Sequence, residues 1–214
     1  MSTERRPIPM GRVEAFSDGV YAIVITLLVL ELAVPEDSRR LVEDLLEGWP
    51  AFLGYLISFV FIGASWISHT KLTPSLSACD DLFVGLNLLK LLFVSFLPFT
   101  SSLLATHLGD DAQGVAAVVF GANLTLATAM SAVLYGFAAR NEQLLRDGER
   151  PHLQARTREL WHSAALLLAA TAVAAFFPGV AVGFYLAISA LMLVRPLVRW
   201  SGLGRRTRRE RNVR

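Results

Sequence analysis

The apolar residues of this chain are grouped into six blocks, each long enough to cross a membrane. Hydrophobic residues make up 54% of the 214 residues, and a helix needs about 20 apolar residues in succession to span a hydrocarbon core of roughly 30 Å. The blocks cover residues 13–34, 49–69, 82–106, 115–138, 160–177 and 179–199. We therefore predict an all-α integral membrane bundle of six transmembrane helices, with a domain over residues 1–200 and a basic tail over residues 201–214.

The distribution of arginine predicts the orientation of this bundle. Arginine is concentrated in three segments, which are the N-terminus (Arg5, Arg6, Arg12), the loop after the fourth block (Arg140, Arg146, Arg150, Arg156, Arg158) and the C-terminal tail. The loop after the first block is mainly acidic (Glu36, Asp37, Glu43, Asp44, Glu47), and the loop after the third block has Asp110 and Asp111 without a base. Because basic loops stay in the cytoplasm, we expect a multi-pass protein of the cell membrane with both termini cytoplasmic.

Several functional classes find no support in the sequence. The four histidines (His69, His107, His152, His162) are scattered, without the spacing of a metal site or a neighbouring serine nucleophile. The chain therefore has no pattern of an enzyme, and we expect no cofactor. Its single cysteine, Cys79, allows no internal disulfide. The basic tail is typical of a segment that faces lipid headgroups, so we expect a lipid bilayer and no nucleic acid as its partner.

One side of the first predicted helix carries a stripe of large side chains. At about 100° per residue, Ile23, Thr26, Leu27 and Leu30 share this stripe. Glu31 lies at its edge, near the end of the helix. Such a stripe is most often a packing surface, and Thr26 is equally suited to a hydrogen bond with a carbonyl of the preceding turn. Periodicity alone leaves these alternatives open.

A carboxylate, Asp18, lies near the start of the same helix. It points about 130° away from the stripe, so we expect it to face the inside of its own bundle. An ionised group there is very costly without partners, and charges in membrane helices are functional candidates. Candidate donors at the same depth are Arg12, Trp66, His69, Asn87 and Lys90, although Lys90 is also able to snorkel to the membrane surface.

These residues form a pattern that resembles bacterial members of the transmembrane protein 175 family of potassium channels. The residues that carry the resemblance are Arg12, Phe16, Ser17, Asp18 and Gly19 in the first helix, Trp66-Ile-Ser-His69 in the second, and Asn87-Leu-Leu and Pro98-Phe99-Thr100 in the third. The resemblance covers about the first 100 residues, and the last three blocks match in number and hydrophobicity only. Two departures are Tyr21, where phenylalanine is expected, and Lys90, an additional base.

The resemblance implies a homotetramer of six-helix subunits, in which the first helix of each subunit lines a central pore. It implies an aliphatic constriction at Ile23, Leu27 and Leu30 and a hydroxyl layer, implicated in selectivity, at Thr26. It further implies a structural polar network that fixes the rotation of the first helix. Its members would be Arg12, Phe16, Ser17, Asp18, Trp66, His69 and Asn87.

The function that we expect is that of a potassium-selective leak channel, which conducts K⁺ passively, with monovalent cations as its ionic partners. Ile23 and Leu30 would close the pore by excluding water, and acidic residues at the outer mouth, including Glu31, would raise the local cation concentration. The alternative is a proton conductor or proton-coupled transporter that uses Asp18 and His69, with Glu31 completing a relay. A membrane scaffold that conducts no ions is a further alternative.

Overall fold

The computed structural model describes residues 9–35 and 39–211, with side chains described as far as Arg195. Within these residues the chain forms helices and turns without a β-strand. The α-helices are α1 Met10–Leu27, α2 Leu41–Glu47, α3 Trp49–Leu72, α4 Asp81–Ser95, α5 Leu97–His107, α6 Gln113–Arg140, α7 Arg150–Ala174 and α8 Pro178–Arg211. The predictions that concern Arg5, Arg6, Glu36, Asp37 and residues 212–214 lie outside the described residues.

Five segments have the length and apolar character of a membrane span. They are Met10–Glu31, Trp49–Ser75, Asp81–His107, Gln113–Arg140 and Pro178–Arg195. The sixth predicted block lies in α7, which begins earlier than expected, at Arg150, and carries charged residues in its first half. The all-α membrane bundle predicted from the sequence is therefore confirmed, although α7 is not among the helices with the apolar character of a span.

The third predicted span is interrupted at Phe96. The segment was expected to be one helix, but α4 ends at Ser95 and α5 begins at Leu97. Pro98 has no N–H group, so the carbonyl of Val94 lacks its usual helical donor. The Phe96 N–H turns toward the carbonyls of both Leu92 and Val94, and Pro98 occupies the first turn of α5, where a missing donor is tolerated.

The helix α6 lies at the centre of the bundle. It contacts α3, α4, α5, α7 and α8, whereas α1 lies at the edge against α3, α4 and α5. One apolar core includes the fully buried side chains of Phe61, Phe120 and Tyr185. A second core, built around Leu72 and Phe83, fills the end of the bundle where the long loops meet. The described helices thus bury α1 on one side only.

Two loops from distant parts of the chain are joined at that end, and we call this joint the loop clasp (residues 73–80 and 141–149). Leu76 pairs with Leu145 in an isolated antiparallel bridge. The clasp hydrogen bonds run from Ser77 N–H to the Leu144 carbonyl (2.8 Å), from Arg146 N–H to the Ser75 carbonyl (3.0 Å) and from Ser75 Oγ to the Glu149 carboxylate (2.9 Å). Thr73 also donates to the Glu14 carboxylate at 3.0 Å, which connects α1 to the clasp.

The last helix, α8, is continuous from Pro178 to Arg211. It packs against α7, as the short Phe-Phe-Pro-Gly connection predicts, and it passes through residue 200 without a break. The boundary predicted there between channel domain and basic tail is thus not marked by an end of the helix. At 1.5 Å per residue, a helix of 34 residues is about 50 Å long, longer than a hydrocarbon core of roughly 30 Å.

Candidate functional site

The first helix, α1, has one face inside the protomer and one face outside it. The inner face is formed by residues at helical spacing, namely Val13, Ser17, Tyr21, Val24 and, in the 3₁₀ turn that continues α1, Leu28. The large side chains of the opposite face remain uncovered: Phe16 is 56% exposed, Ile23 61%, Leu27 42% and Leu30 75%. A helix of this composition therefore presents an apolar surface to whatever lies beside the protomer.

The stripe predicted from the sequence coincides with this outer face. Ile23, Thr26, Leu27 and Leu30 are all exposed in the protomer. The hydroxyl of Thr26 donates to the Ile23 carbonyl at 2.8 Å, which is the bond to the preceding turn that the sequence left open. Because a hydroxyl has one hydrogen and two lone pairs, this bond leaves the lone pairs of Thr26 available to a group outside the protomer.

Behind the stripe, a hydrogen-bonded chain ties α1 to α4. Ser17 is fully buried, donates to the Val13 carbonyl at 2.8 Å and accepts from Asn87 Nδ2 at 2.9 Å. The other amide atom, Asn87 Oδ1, is buried and has no hydrogen-bond partner among the described residues. Serine is a good acceptor for this purpose because its hydroxyl donates and accepts at the same time.

A second bond ties α1 to α3. The indole Nε1–H of Trp66 donates to Asp18 Oδ1 at 3.0 Å. Asp18 is half-buried and Trp66 is 43% exposed, so the carboxylate lies at the edge of the bundle. The prediction that Asp18 faces the inside of the bundle is therefore wrong. The inner face is centred on Ser17 and Tyr21, and Asp18 is rotated about 100° from Ser17, toward the groove between α1 and α3.

A third polar group, whose contacts the sequence did not predict, lies beside α1 at Tyr21, one turn after Ser17 and Asp18. Lys90 is only 2% exposed, and its Nζ lies 3.4 Å from His69 Nδ1 and 5.3 Å from the centre of the Tyr21 ring. The Tyr21 hydroxyl lies 2.8 Å from Ser65 Oγ. Lys90 thus neither snorkels nor pairs with Asp18. The sequence signal was its position three residues after Asn87, on the same side of α4.

The remaining predicted residues are not brought to these contacts. Arg12 is exposed, and its side chain makes no hydrogen bond or ion pair with another described residue. Phe16 lies on the outer face of α1. Glu31 is exposed at the end of the 3₁₀ turn, where it lines a small cleft with Tyr55 and Ser101. In the described part of the chain, no three His, Cys, Asp or Glu side chains are clustered as metal ligands.

Comparison with known proteins identifies the family. Residues 12–98, which carry all three polar groups behind α1, match the family model described as endosomal/lysosomal potassium channel TMEM175. A potassium channel of Chamaesiphon minutus is 37% identical over 185 residues, which are 83% of this chain and 91% of that protein. The chain belongs to the TMEM175 family. TMEM175 proteins are ion channels and not enzymes, in agreement with the prediction that the chain is not an enzyme.

Solved structures of TMEM175 proteins have the same fold. The crystal structure of a lysosomal potassium-selective channel TMEM175 homologue from Chamaesiphon minutus matches with a TM-score of 0.80 and 33% identity, over 87% of this chain and 97% of that one. A crystal structure of a variant of the potassium channel MtTMEM175, in complex with a nanobody fusion, matches with a TM-score of 0.63. At 17% identity, this second structure supports the fold alone.

Vertebrate TMEM175 proteins are also similar, over part of their length. The endosomal/lysosomal proton channel TMEM175 of Gallus gallus is 34% identical over 160 residues, which are 70% of this chain and 31% of that protein. The chain therefore spans about a third of the length of the Gallus gallus protein. These relatives and the bacterial ones thus include proteins named as potassium channels and proteins named as proton channels.

Proposed function

We propose that the protein is a potassium-selective leak channel in which four copies of α1 line a central pore. The observation that carries this proposal is the uncovered outer face of α1, with Ile23, Leu27 and Leu30 exposed beside Thr26. Relatives from Chamaesiphon minutus and Streptomyces collinus that are 37% and 42% identical over the matched segments bear the name potassium channel. The permeant K⁺ is the ion that we expect at this surface, and no further cofactor is needed.

Polar atoms on the outer face favour a pore over a surface covered by lipid alone. The Thr26 hydroxyl donates to its own helix, so its lone pairs are able to replace part of the hydration shell of a cation. Glu31 is exposed at the end of the same helix, and a carboxylate in a membrane segment is costly unless it faces water or a partner. A water-filled axis between subunits would satisfy Thr26, and water at the end of the helix would satisfy Glu31.

The same face supplies a mechanism for closing. Rings of Ile23 and Leu30 from four subunits would narrow the axis and expel water, which stops ions because they cannot cross a dry apolar constriction. Thr26 lies between these rings. The contacts of Ser17 with Asn87 and of Asp18 with Trp66 support a role of these residues in holding the rotation of α1, while Arg12 and His69 would act near the cytoplasmic end.

The orientation proposed for the channel follows from charge. An even number of spans separates the arginine-rich connection between α6 and α7 from each terminus. The preference of basic segments for the cytoplasm therefore supports a cell-membrane protein in which this connection and both termini are cytoplasmic. Glu31, Glu43, Asp44 and Glu47 would then surround the outer mouth and concentrate cations there.

Proton conduction is the second candidate, and the names of the vertebrate relatives favour it. In this chain it would use Asp18 and His69. The two residues make different contacts, Asp18 with Trp66 at the bundle edge and His69 with Lys90 in the interior. A relay would therefore need water to connect two separately held groups.

The test is ion flux through purified protein in liposomes. Vesicles contain K⁺, and the outside solution contains Na⁺ or an impermeant cation. A proton-sensitive dye reports the uptake of protons through an added ionophore, which accompanies the loss of K⁺. We expect flux that follows the K⁺ gradient and persists when no pH gradient is present. Flux that appears only when protons cross the protein itself would favour the relay, and a complete lack of flux would favour a scaffold.

A further inference from the structure

Lys90 is a buried base without a carboxylate partner. Its side chain is 2% exposed, and none of the described acidic residues pairs with it. A positive charge enclosed in this way is costly unless other groups stabilise it. The groups that contact Lys90 are the His69 ring nitrogen at 3.4 Å and the face of the Tyr21 ring at 5.3 Å.

These three side chains come from three different helices. Tyr21 belongs to α1, His69 to α3 and Lys90 to α4, and the Tyr21 and His69 rings lie 6.0 Å apart. Tyr21 is on the inner face of α1, two positions before Ile23 on the outer face. Any force on the Tyr21 ring is therefore transmitted to the helix segment that carries the proposed constriction.

The contact between Lys90 and His69 accommodates one positive charge but not two. Lys90 can donate to His69 Nδ1 only when this nitrogen is unprotonated, and two charges at this separation would repel strongly in a buried site. His69 Nε2 is buried and has no partner among the described residues. The other titratable groups that face the site are Asp18 and Tyr21 on α1 and Tyr135 on α6. The hydroxyl of Tyr135 donates to the Ser68 carbonyl of α3 at 2.6 Å.

We propose that Lys90 and His69 form a proton-sharing pair that holds the pore helix through Tyr21. With the shared proton present, the ammonium attracts the negative face of the Tyr21 ring. When the proton is lost, the amine still bonds to His69, but the attraction to Tyr21 disappears and α1 is less firmly held. Lys90 is thus a positioning residue, and its effect on conduction rests on the proposed pore function.

Magnetic resonance tests the pair directly, because the chain contains only two lysines, Lys71 and Lys90. Protein labelled with ¹⁵N at lysine and histidine side chains and with ¹³C at tyrosine rings is titrated in liposomes between about pH 5 and about pH 11, which brackets the ordinary titration of both bases. The variants Lys90→Met, His69→Gln and Tyr21→Phe assign the signals. We expect Lys90 Nζ, His69 Nδ1 and the Tyr21 ring to change with one common midpoint. Independent midpoints, or a Tyr21 ring that does not respond, would overturn the proposal.

Ion flux over the same pH range tests the consequence for α1. We expect wild-type K⁺ flux to change at the common midpoint by between about twofold and about 30-fold, the range that corresponds to one cation–π contact. Lys90→Met removes this step, whereas Lys71→Met, the matched control, retains it. Tyr21→Leu keeps the common midpoint of Lys90 and His69 but loses the step in flux. This variant keeps the test decisive if Lys90→Met does not fold.

The outcomes separate this inference from the proposed function. Wild-type flux without a step at the common midpoint contradicts the inference while leaving the channel intact. Protein that conducts no K⁺ at any pH, but shows the common midpoint of Lys90, His69 and Tyr21, contradicts the proposed channel function. It supports the inference that the Lys90–His69 pair holds α1 through Tyr21.

Discussion

The side chain of Ile23 is the most direct test of the proposed constriction. It is 61% exposed on the outer face of α1, and its replacement by asparagine would allow water into a closed apolar ring. We expect Ile23→Asn to raise K⁺ conductance in liposomes or planar bilayers by roughly tenfold, which corresponds to a barrier lower by about 1.4 kcal/mol. Leu166→Asn, at a similarly exposed position on α7, is the control. An unchanged current in Ile23→Asn contradicts its assignment to the gate.

Thr26 differs from its apolar neighbours by a single hydroxyl group. Since this hydroxyl donates to Ile23 and keeps its lone pairs free, we expect Thr26→Ala to lower the preference for K⁺ over Na⁺. Thr26→Ser retains the oxygen and should retain most of the preference. Reversal potentials with K⁺ on one side and Na⁺ on the other measure the effect, and identical potentials in Thr26→Ala and wild type would remove Thr26 from the selectivity mechanism.

At the scale of helices, α1 and α4 are coupled by the bond between Ser17 and Asn87. We expect Asn87→Ala to destabilise the protein by about 1–3 kcal/mol, because Ser17 loses a buried partner. The measurement is thermal unfolding in detergent. Once Ser17→Ala is present, the additional cost of Asn87→Ala should be smaller, since the shared bond is already lost. Strictly additive effects would mean that the bond does not stabilise the contact between these helices.

The reactivity of Cys79, which lies in the loop clasp, reports whether the clasp is closed. The thiol is buried, and this burial, together with the negative charge of Asp80, raises its pKa. The reactive thiolate is therefore scarce near neutral pH and increases as the pH rises toward the raised pKa. We expect maleimide to react with native protein at least about a hundredfold more slowly than with denatured protein. Ser75→Ala, which removes the bond to Glu149, should accelerate the reaction, whereas Glu43→Ala in α2 should not.

The sequence predicted the helices better than their interruptions and contacts. Apolar blocks of about 20 residues are sufficient to locate the spans, because lipid requires every backbone group to be bonded within a helix. The break at Phe96 depends on how one missing donor at Pro98 is compensated. The position of Lys90 depends on partners from α1 and α3, which hydropathy does not encode. Helical periodicity predicted that Ile23, Thr26, Leu27 and Leu30 share one face of α1, but it left open whether the rest of the protomer covers that face.

For the whole molecule, the uncovered face of α1 predicts assembly. A chain of 23.4 kDa with large aliphatic side chains exposed beside a hydroxyl and a carboxylate is expected to bury that face against copies of itself. The proposed pore contains four copies of α1, so native mass spectrometry from detergent should give a particle of four chains. Leu30→Lys, which places a charge on this face, should lower the fraction of tetramer, and the control is Leu166→Lys on α7. A monomer or dimer as the sole species would contradict the proposed pore.

The loop clasp is also able to form only late in the synthesis of the chain. Residues 73–80 leave the ribosome before α4, α5 and α6, but their hydrogen-bond partners Leu144, Arg146 and Glu149 follow α6. Until then, Ser75 and Ser77 have only water or the insertion machinery to satisfy their polar groups. The first four spans thus enter the bilayer before the clasp is able to form, and translation past residue 149 allows the clasp to close.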